Sequence, residues 1–150
     1  MRIFRFLVIV TLSVFTAAAG AADGLIAVKS PHTVKVSMDR LEDLAKQRGL
    51  NVFARIDHAA GAAKVGTTLR ATEVLIFGNP QGGTPFMECA QTVGIDLPLK
   101  ALVWEDSAGQ VWLAYNDAAY VAKRHEVAQC PAAANIAKAL AGLAEAAAAP

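Results

Sequence analysis

Arg55, Asp57, His58 and Glu73 bring a guanidinium, two carboxylates and an imidazole to two apolar runs, 51–57 and 72–77. A carboxylate beside a histidine holds one imidazole tautomer and raises its basicity, which is what a general base needs. His58 working with Asp57 or Glu73 is therefore the candidate catalytic set, and the reaction class it suits is hydrolysis or isomerisation. Neighbouring residues of a strand point to opposite faces, so Asp57 and His58 can cooperate only across a bend. The alternative is ordinary cross-strand salt bridging among Arg55, Glu73 and their neighbours. No Gly-x-Ser-x-Gly elbow occurs, and no Cys/His spacing points to a metal.

A second candidate site is the run 78–85, Gly-Asn-Pro-Gln-Gly-Gly-Thr-Pro. Glycines ahead of a helix N-terminus let backbone N–H groups converge on an anion. Arg55, Asn79, Gly82, Gly83 and Thr84 are accordingly the candidate ligand-binding residues. The run lacks the Lys-Ser/Thr of a phosphate-binding loop and the spacing of a dinucleotide fingerprint. A plain strand-to-helix turn explains it equally well. His32 and His125 have no motif around them, and Trp104 and Trp112 read as packing residues of a hairpin.

Cys89 and Cys130 are the two cysteines. In an oxidising compartment they could pair, closing a loop of roughly 40 residues worth about 3 to 4 kcal/mol. Phe86, Cys89, Ala90 and Val93 also share helical spacing, which suits a buried free thiol. Both readings stand open.

These residues must be positioned by local elements. A β-rich run covers 25–29. A helix follows, capped by Thr33 or Ser37, with Met38, Leu41, Leu44 and Ala45 on one face and Gly49 at its C-terminal end. Strands are expected at 51–57 and 72–77, the latter central, with 58–66 a loop holding one helical turn. Thr84 as N-cap and Pro85 at the first helical position predict a helix to about Val93. Residues 101–106 and 111–116 form a hairpin around the turn Asp106-Ser107-Ala108-Gly109. Asn116 or Asp117 then caps a short helix through His125. Beyond Pro131 the chain is alanine-rich, with a thin stripe of Ile136, Leu140 and Leu143, either a docked helix or a fraying tail.

The N-terminus reads as a cleavable signal peptide over 1–21. Arg2 and Arg5 form a positive start, 6–17 an apolar core of about twelve residues, and Ala19-Gly20-Ala21 a small-x-small cleavage signal. A membrane span needs roughly 20 apolar residues, so no stable span is expected after cleavage. Loss of Arg2 and Arg5 takes 14 basic residues to 12 against 13 acidic ones, a formal charge of −1 in place of +1. With its lysines and arginines scattered, such a chain carries no footprint for nucleic acid. A periplasmic or secreted location follows.

The runs Phe53-Ala54-Arg55-Ile56-Asp57-His58, 69–80, 97–106 and Tyr115-Asn116-Asp117 through Arg124-His125 resemble the domain-of-unknown-function 302 family, over about 24–127. The resemblance implies an α+β fold like that of the TATA-binding protein: a curved antiparallel sheet of about five strands backed by helices. That family has no established activity and supplies no catalytic residues or cofactors. Where its members often carry proline after Asn-Asp, this chain has Ala118. The organisation expected is a signal peptide at 1–21, the family domain at 22–127 and an alanine-rich tail or helix at 128–150. The function expected is a module binding a small anionic or polar ligand, or a protein partner. The alternatives are the His58 enzyme and a homodimeric interaction protein.

Overall fold

The computed structural model describes residues 22–150. The segment read as a signal peptide lies outside the described residues. Among the described residues are five strands, β1 (Leu25–Ser30), β2 (Asn51–Asp57), β3 (Thr72–Gly78), β4 (Leu99–Glu105) and β5 (Val111–Asn116), and five helices, with β4 and β5 joined directly as a hairpin. The helices are α1 (Val34–Gln47), α2 (His58–Lys64), α3 (Pro80–Cys89), α4 (Ala118–Arg124) and α5 (Pro131–Ala148), with a 3-10 turn at Gln91–Ile95. The sheet order is β1-β5-β4-β3-β2, and every pair is antiparallel. The α+β class read from the sequence is the class observed.

α1 is built from local signals. Thr33 accepts the Val36 N–H as N-cap, and Met38, Leu41 and Ala45 recur at helical spacing on the buried face. At its end Gly49, at φ +74°, donates to the Lys46 carbonyl while Leu50 donates to Ala45. Only a residue at ease in the left-handed region closes a helix this way. Because β1 and β2 are the two edge strands, α1 must cross the whole sheet between them. Its contacts with β2, β3, β4 and β5 follow from that crossing.

The core lies between this sheet face and the helices. Leu75 and Phe77 of β3, Val103 of β4 and Leu113 of β5 alternate onto it and are almost wholly buried. α5 supplies Ile136, Leu140, Leu143, Ala144 and Ala147. The alanine-rich segment is thus a docked helix, not a fraying tail. Alanine costs least in a helix, and its small side chain lets α5 lie close on α1. Basic groups brace the C-terminal half of α5: Arg48 donates to the Gly142 carbonyl, Arg40 to Ala146, and His32 bonds Ala149. Cations favour the carbonyl end of a helix.

Two local expectations are corrected. The helix predicted from Thr84 begins at Pro80, with Asn79 as its cap, and ends at Cys89 before the 3-10 turn. Asn79-Pro80 and Thr84-Pro85 are equivalent start signals, and the earlier one is the one satisfied: Asn79 Oδ1 accepts the Gly82 N–H and its carbonyl accepts the Gly83 N–H. Pro85 then lies inside the helix, where it removes a hydrogen bond. The stretch expected to hold one helical turn is the seven-residue α2, capped by Asp57.

Candidate functional site

The polar residues singled out on β2 and β3 form a closed ion-pair network. Arg55 Nε donates to Glu73 Oε2 at 2.6 Å and Nη1 to Asp39 Oδ1 at 2.6 Å, with Glu42 Oε2 at 3.4 Å. Asp39 and Glu42 come from α1, which the crossing lays over β2. Burial disfavours the Arg55 charge, but the hydrogen bonds it donates to Glu73 and Asp39 raise its pKa far above the ordinary value. Hydrogen bonds from Lys35 and then Arg55 hold the Asp39 carboxyl below its usual range. Glu42 is lowered by Lys46, with burial opposing and Arg55 adding. An arginine already facing three carboxylates is not an anion receptor, so Arg55 leaves the candidate ligand set.

The catalytic candidates are likewise occupied. Asp57 Oδ1 accepts the Ala60 N–H at 2.8 Å as the α2 cap, Glu73 holds Arg55, and His58 is exposed at the first position of α2. Asp57 and Glu73 are cross-strand partners, yet no hydrogen bond among the described residues joins either to His58. The glycine run fares similarly as an anion nest. Gly82 donates to Asn79 Oδ1 at 2.8 Å and Gly83 to the Asn79 carbonyl at 3.0 Å. Both N–H groups are consumed by the helix's own start.

One polar constellation had no sequence signal. His125 Nε2 meets Asp96 Oδ2 at 2.7 Å and Nδ1 meets Thr92 Oγ1 at 3.0 Å, while Arg124 Nη1 donates to Asp96 Oδ1 at 3.0 Å. The connectivity is that of a hydroxyl, a base and an orienting acid. Its three parts come from a 3-10 turn, the segment after it and the end of α4, so spacing could not reveal it. Neither Thr92 nor His125 lines the cleft described next or the roughly 20 Å³ hollow beside Asp96. The cluster ties α4 to the 3-10 turn.

The concave feature is a cleft of about 910 Å³ between α3 and α5, open to solvent. Asn79, Gly82, Gly83 and Thr84 line it on the α3 side. On α5 the lining positions Ala132, Asn135, Ile136, Ala139, Leu140 and Leu143 recur at helical spacing along one face. Phe53, which sits where the β2 register shifts against β3 and is 57% exposed, also lines it. A bulge re-aims a side chain in this way. At one end Cys89, the last residue of α3, is bonded to Cys130, the cap position of α5, their Cα atoms 6.1 Å apart. The open question between free thiols and a disulfide is answered for the bond. At the other end Arg48 Nη2 donates to Gly142 O at 3.0 Å.

A five-stranded antiparallel sheet packed against helices, with a cleft between two of them, defines an α+β domain. The chain belongs to the family described as "Domain of unknown function DUF302", whose model matches residues 26–147. The match takes in α5, the segment the sequence set apart as a tail. A solved structure of similar fold is that of an uncharacterized conserved DUF302 protein from Bacillus stearothermophilus. It has TM-score 0.76 and 22% identity over 84% of this chain and 99% of that one.

Among curated proteins, two named "Fluoride-specific ion channel FluC 1" are similar. The one from Brucella suis biovar 1 (strain 1330) is 50% identical over 104 residues, 69% of this chain and 41% of that protein. The one from Brucella abortus biovar 1 (strain 9-941) is 50% identical over 104 residues, 38% of its own length. The chain thus spans about two-fifths of the length of these relatives. Among the described residues no helix is long and apolar enough to cross a membrane.

Proposed function

We propose that this chain is an exported small-ligand-binding module of the cell envelope, periplasmic or secreted, with the α3–α5 cleft as its site. The observation that carries the reading is the cleft itself. At about 910 Å³ it lies at the upper end of the roughly 300–1,000 Å³ of ligand pockets, which are mostly apolar with a few placed polar groups. Asn79 and Thr84 keep a place in this site; Arg55 does not. Export is supported by the charged, apolar and small-residue pattern of 1–21, and by the Cys89–Cys130 bond, since disulfides persist in oxidising compartments.

The test is a thermal-shift and native mass-spectrometry screen of residues 22–150 against metabolites, beside Ala139→Trp. Ala139 lines the cleft and is exposed, so a tryptophan there fills the cleft without entering the core. A ligand that binds the natural chain and not Ala139→Trp supports the proposal. Binding unchanged by Ala139→Trp, or no ligand in the screen, overturns it.

A second reading comes from the relatives named as fluoride-specific ion channels, in which the matched stretch is about two-fifths of the chain. On it, this domain works beside a membrane channel. Fluoride efflux from cells lacking the domain would then differ from wild type, and identical efflux would retire the idea.

A further inference from the structure

Resting on the cleft as a binding site, we infer that its ligand is a single amphiphile: an apolar chain lying between α3 and α5, with one anionic head at Arg48. Three observations carry this. The first is the lining. Phe53, Phe77, Met87, Leu97, Ile136 and Leu140 are among the walls, and no aspartate or glutamate among the described residues lines the cleft. The polar side chains on the walls, Asn79, Gln81, Thr84, Asn135 and Arg48, are few beside the apolar ones, so a wholly polar ligand would lose much of its hydration without replacement, which is costly.

The second is shape. The disulfide closes the cleft at Cys130, and Arg48 stands against Gly142 at the far end. Lining positions run along α5 from Pro131 to Leu143, a span of roughly 18 Å at 1.5 Å per residue. α3 runs antiparallel to it. Cys89 lies at the start of α5, while Asn79, capping the other end of α3, donates to the Gly49 carbonyl beside Arg48 at 3.4 Å. A mostly apolar cleft lined along about 18 Å of α5 is long enough for an extended alkyl chain.

The third is charge. Among the described residues, Arg48 is the one charged residue lining the cleft. It is exposed, and it forms no ion pair among the described residues. Arg55, by contrast, is neutralised by Glu73, Asp39 and Glu42. The single bond to Gly142 O fixes one side of the Arg48 fork and leaves its other N–H groups for an incoming anion. A guanidinium fork matches a carboxylate bidentately.

The experiment is calorimetric titration of residues 22–150, below micelle-forming concentrations, with dodecanoate, dodecyltrimethylammonium and acetate. Natural protein, Arg48→Gln, Arg48→Lys and Ala139→Trp are compared after circular dichroism has shown each folded. Expected are one dodecanoate site, at least tenfold weaker binding of the cationic amphiphile, and no measurable acetate binding. Arg48→Gln should weaken dodecanoate at least tenfold and Arg48→Lys should recover part of it. Ala139→Trp should abolish it.

Equal binding of cation and anion, or indifference to Arg48→Gln, overturns the head assignment and leaves the cleft reading standing. So does a screen ligand held in the cleft while no amphiphile binds. Dodecanoate binding indifferent to Ala139→Trp overturns both readings. Binding to anionic phospholipid vesicles without binding of free dodecanoate overturns the single-molecule occupant.

Discussion

Arg55→Met removes the centre of the β2–β3–α1 ion-pair network and keeps most of the side-chain stem. Glu73, 13% exposed, then loses a partner at 2.6 Å, and Asp39 and Glu42 face it without a cation between them on that side. Breaking a fully buried pair costs about 3–5 kcal/mol, and an exposed one about 0–1 kcal/mol. The Glu73 side chain approaches the first case, while Asp39, 41% exposed, belongs to the second. The expected loss is about 2 kcal/mol at pH 7, a fall of about 5–10 °C in Tm.

The pH dependence carries the sharper signature. Asp39 and Glu42 have folded pKa values depressed below their ordinary 3.8 and 4.5. Their contribution is therefore present above those values and is lost as pH falls through the lower, folded ones. In Arg55→Met the arginine's share of the depression is gone, so acid takes less from the variant. The stability gap should therefore be widest at pH 7 and narrow as pH falls through the depressed folded values of Asp39 and Glu42. Urea denaturation at pH 7, 5 and 3 measures it, and Arg55→Met/Glu73→Leu should recover part of the loss because no carboxylate is left unpaired. A gap that stays constant with pH, or a variant as stable as the natural chain at pH 7, would refute a structural role for Arg55.

Cys89→Ser/Cys130→Ser releases a 41-residue separation, which chain entropy values at about 4 kcal/mol. Hydrogen exchange should rise first across 80–95, because α3 packs chiefly on the 3-10 turn and α5; a Tm indifferent to reductant would contradict this. Gly24→Ala should cost about 1–2 kcal/mol, since Gly24 sits at φ +79° and a Cβ there would meet Tyr120 Cγ at 2.3 Å. Gly109, also at φ +79° but with open space around it, should tolerate alanine better in the same melt. Leu140→Ala, at a site 4% exposed, should cost about 2–5 kcal/mol, read by urea denaturation; a loss below about 1 kcal/mol would show that α5 is not part of the cooperative core.

Much of the secondary structure was legible because it is encoded locally. Thr33, Gly49 and Asp117 mark helix ends by their own side chains or conformational freedom. The 106–109 turn is set by Asp106, whose carboxylate accepts from Ala108, Gln110 and Trp112 and is lowered in pKa by these bonds, that from Trp112 foremost. The alternation of Val111, Leu113 and Tyr115 places a buried strand face without reference to anything distant. The family resemblance was legible for the same reason, as short runs in order.

Only the tertiary structure decided what these elements do together. Arg55 reads either as a ligand-binding residue or as a salt-bridge partner of Glu73, and it is α1 crossing the sheet that adds Asp39 and Glu42 to the pair. Asn79-Pro80 and Thr84-Pro85 are equal as local start signals, and the folded chain uses the first, with Asn79 as the cap. Cys89 and Cys130 could pair or stay free until α3 and α5 were set side by side. His125, Asp96 and Thr92 meet through no spacing at all. The cleft exists because α5 docks across the same layer and leaves a trough beside α3, with Phe53 turned into it by a bulge. Caps, turns and alternation depend on neighbours a few residues away, so the sequence by itself determines them. Partner choice among distant groups depends on how the whole chain packs, and in this protein that decided the charge network, the disulfide and the cleft.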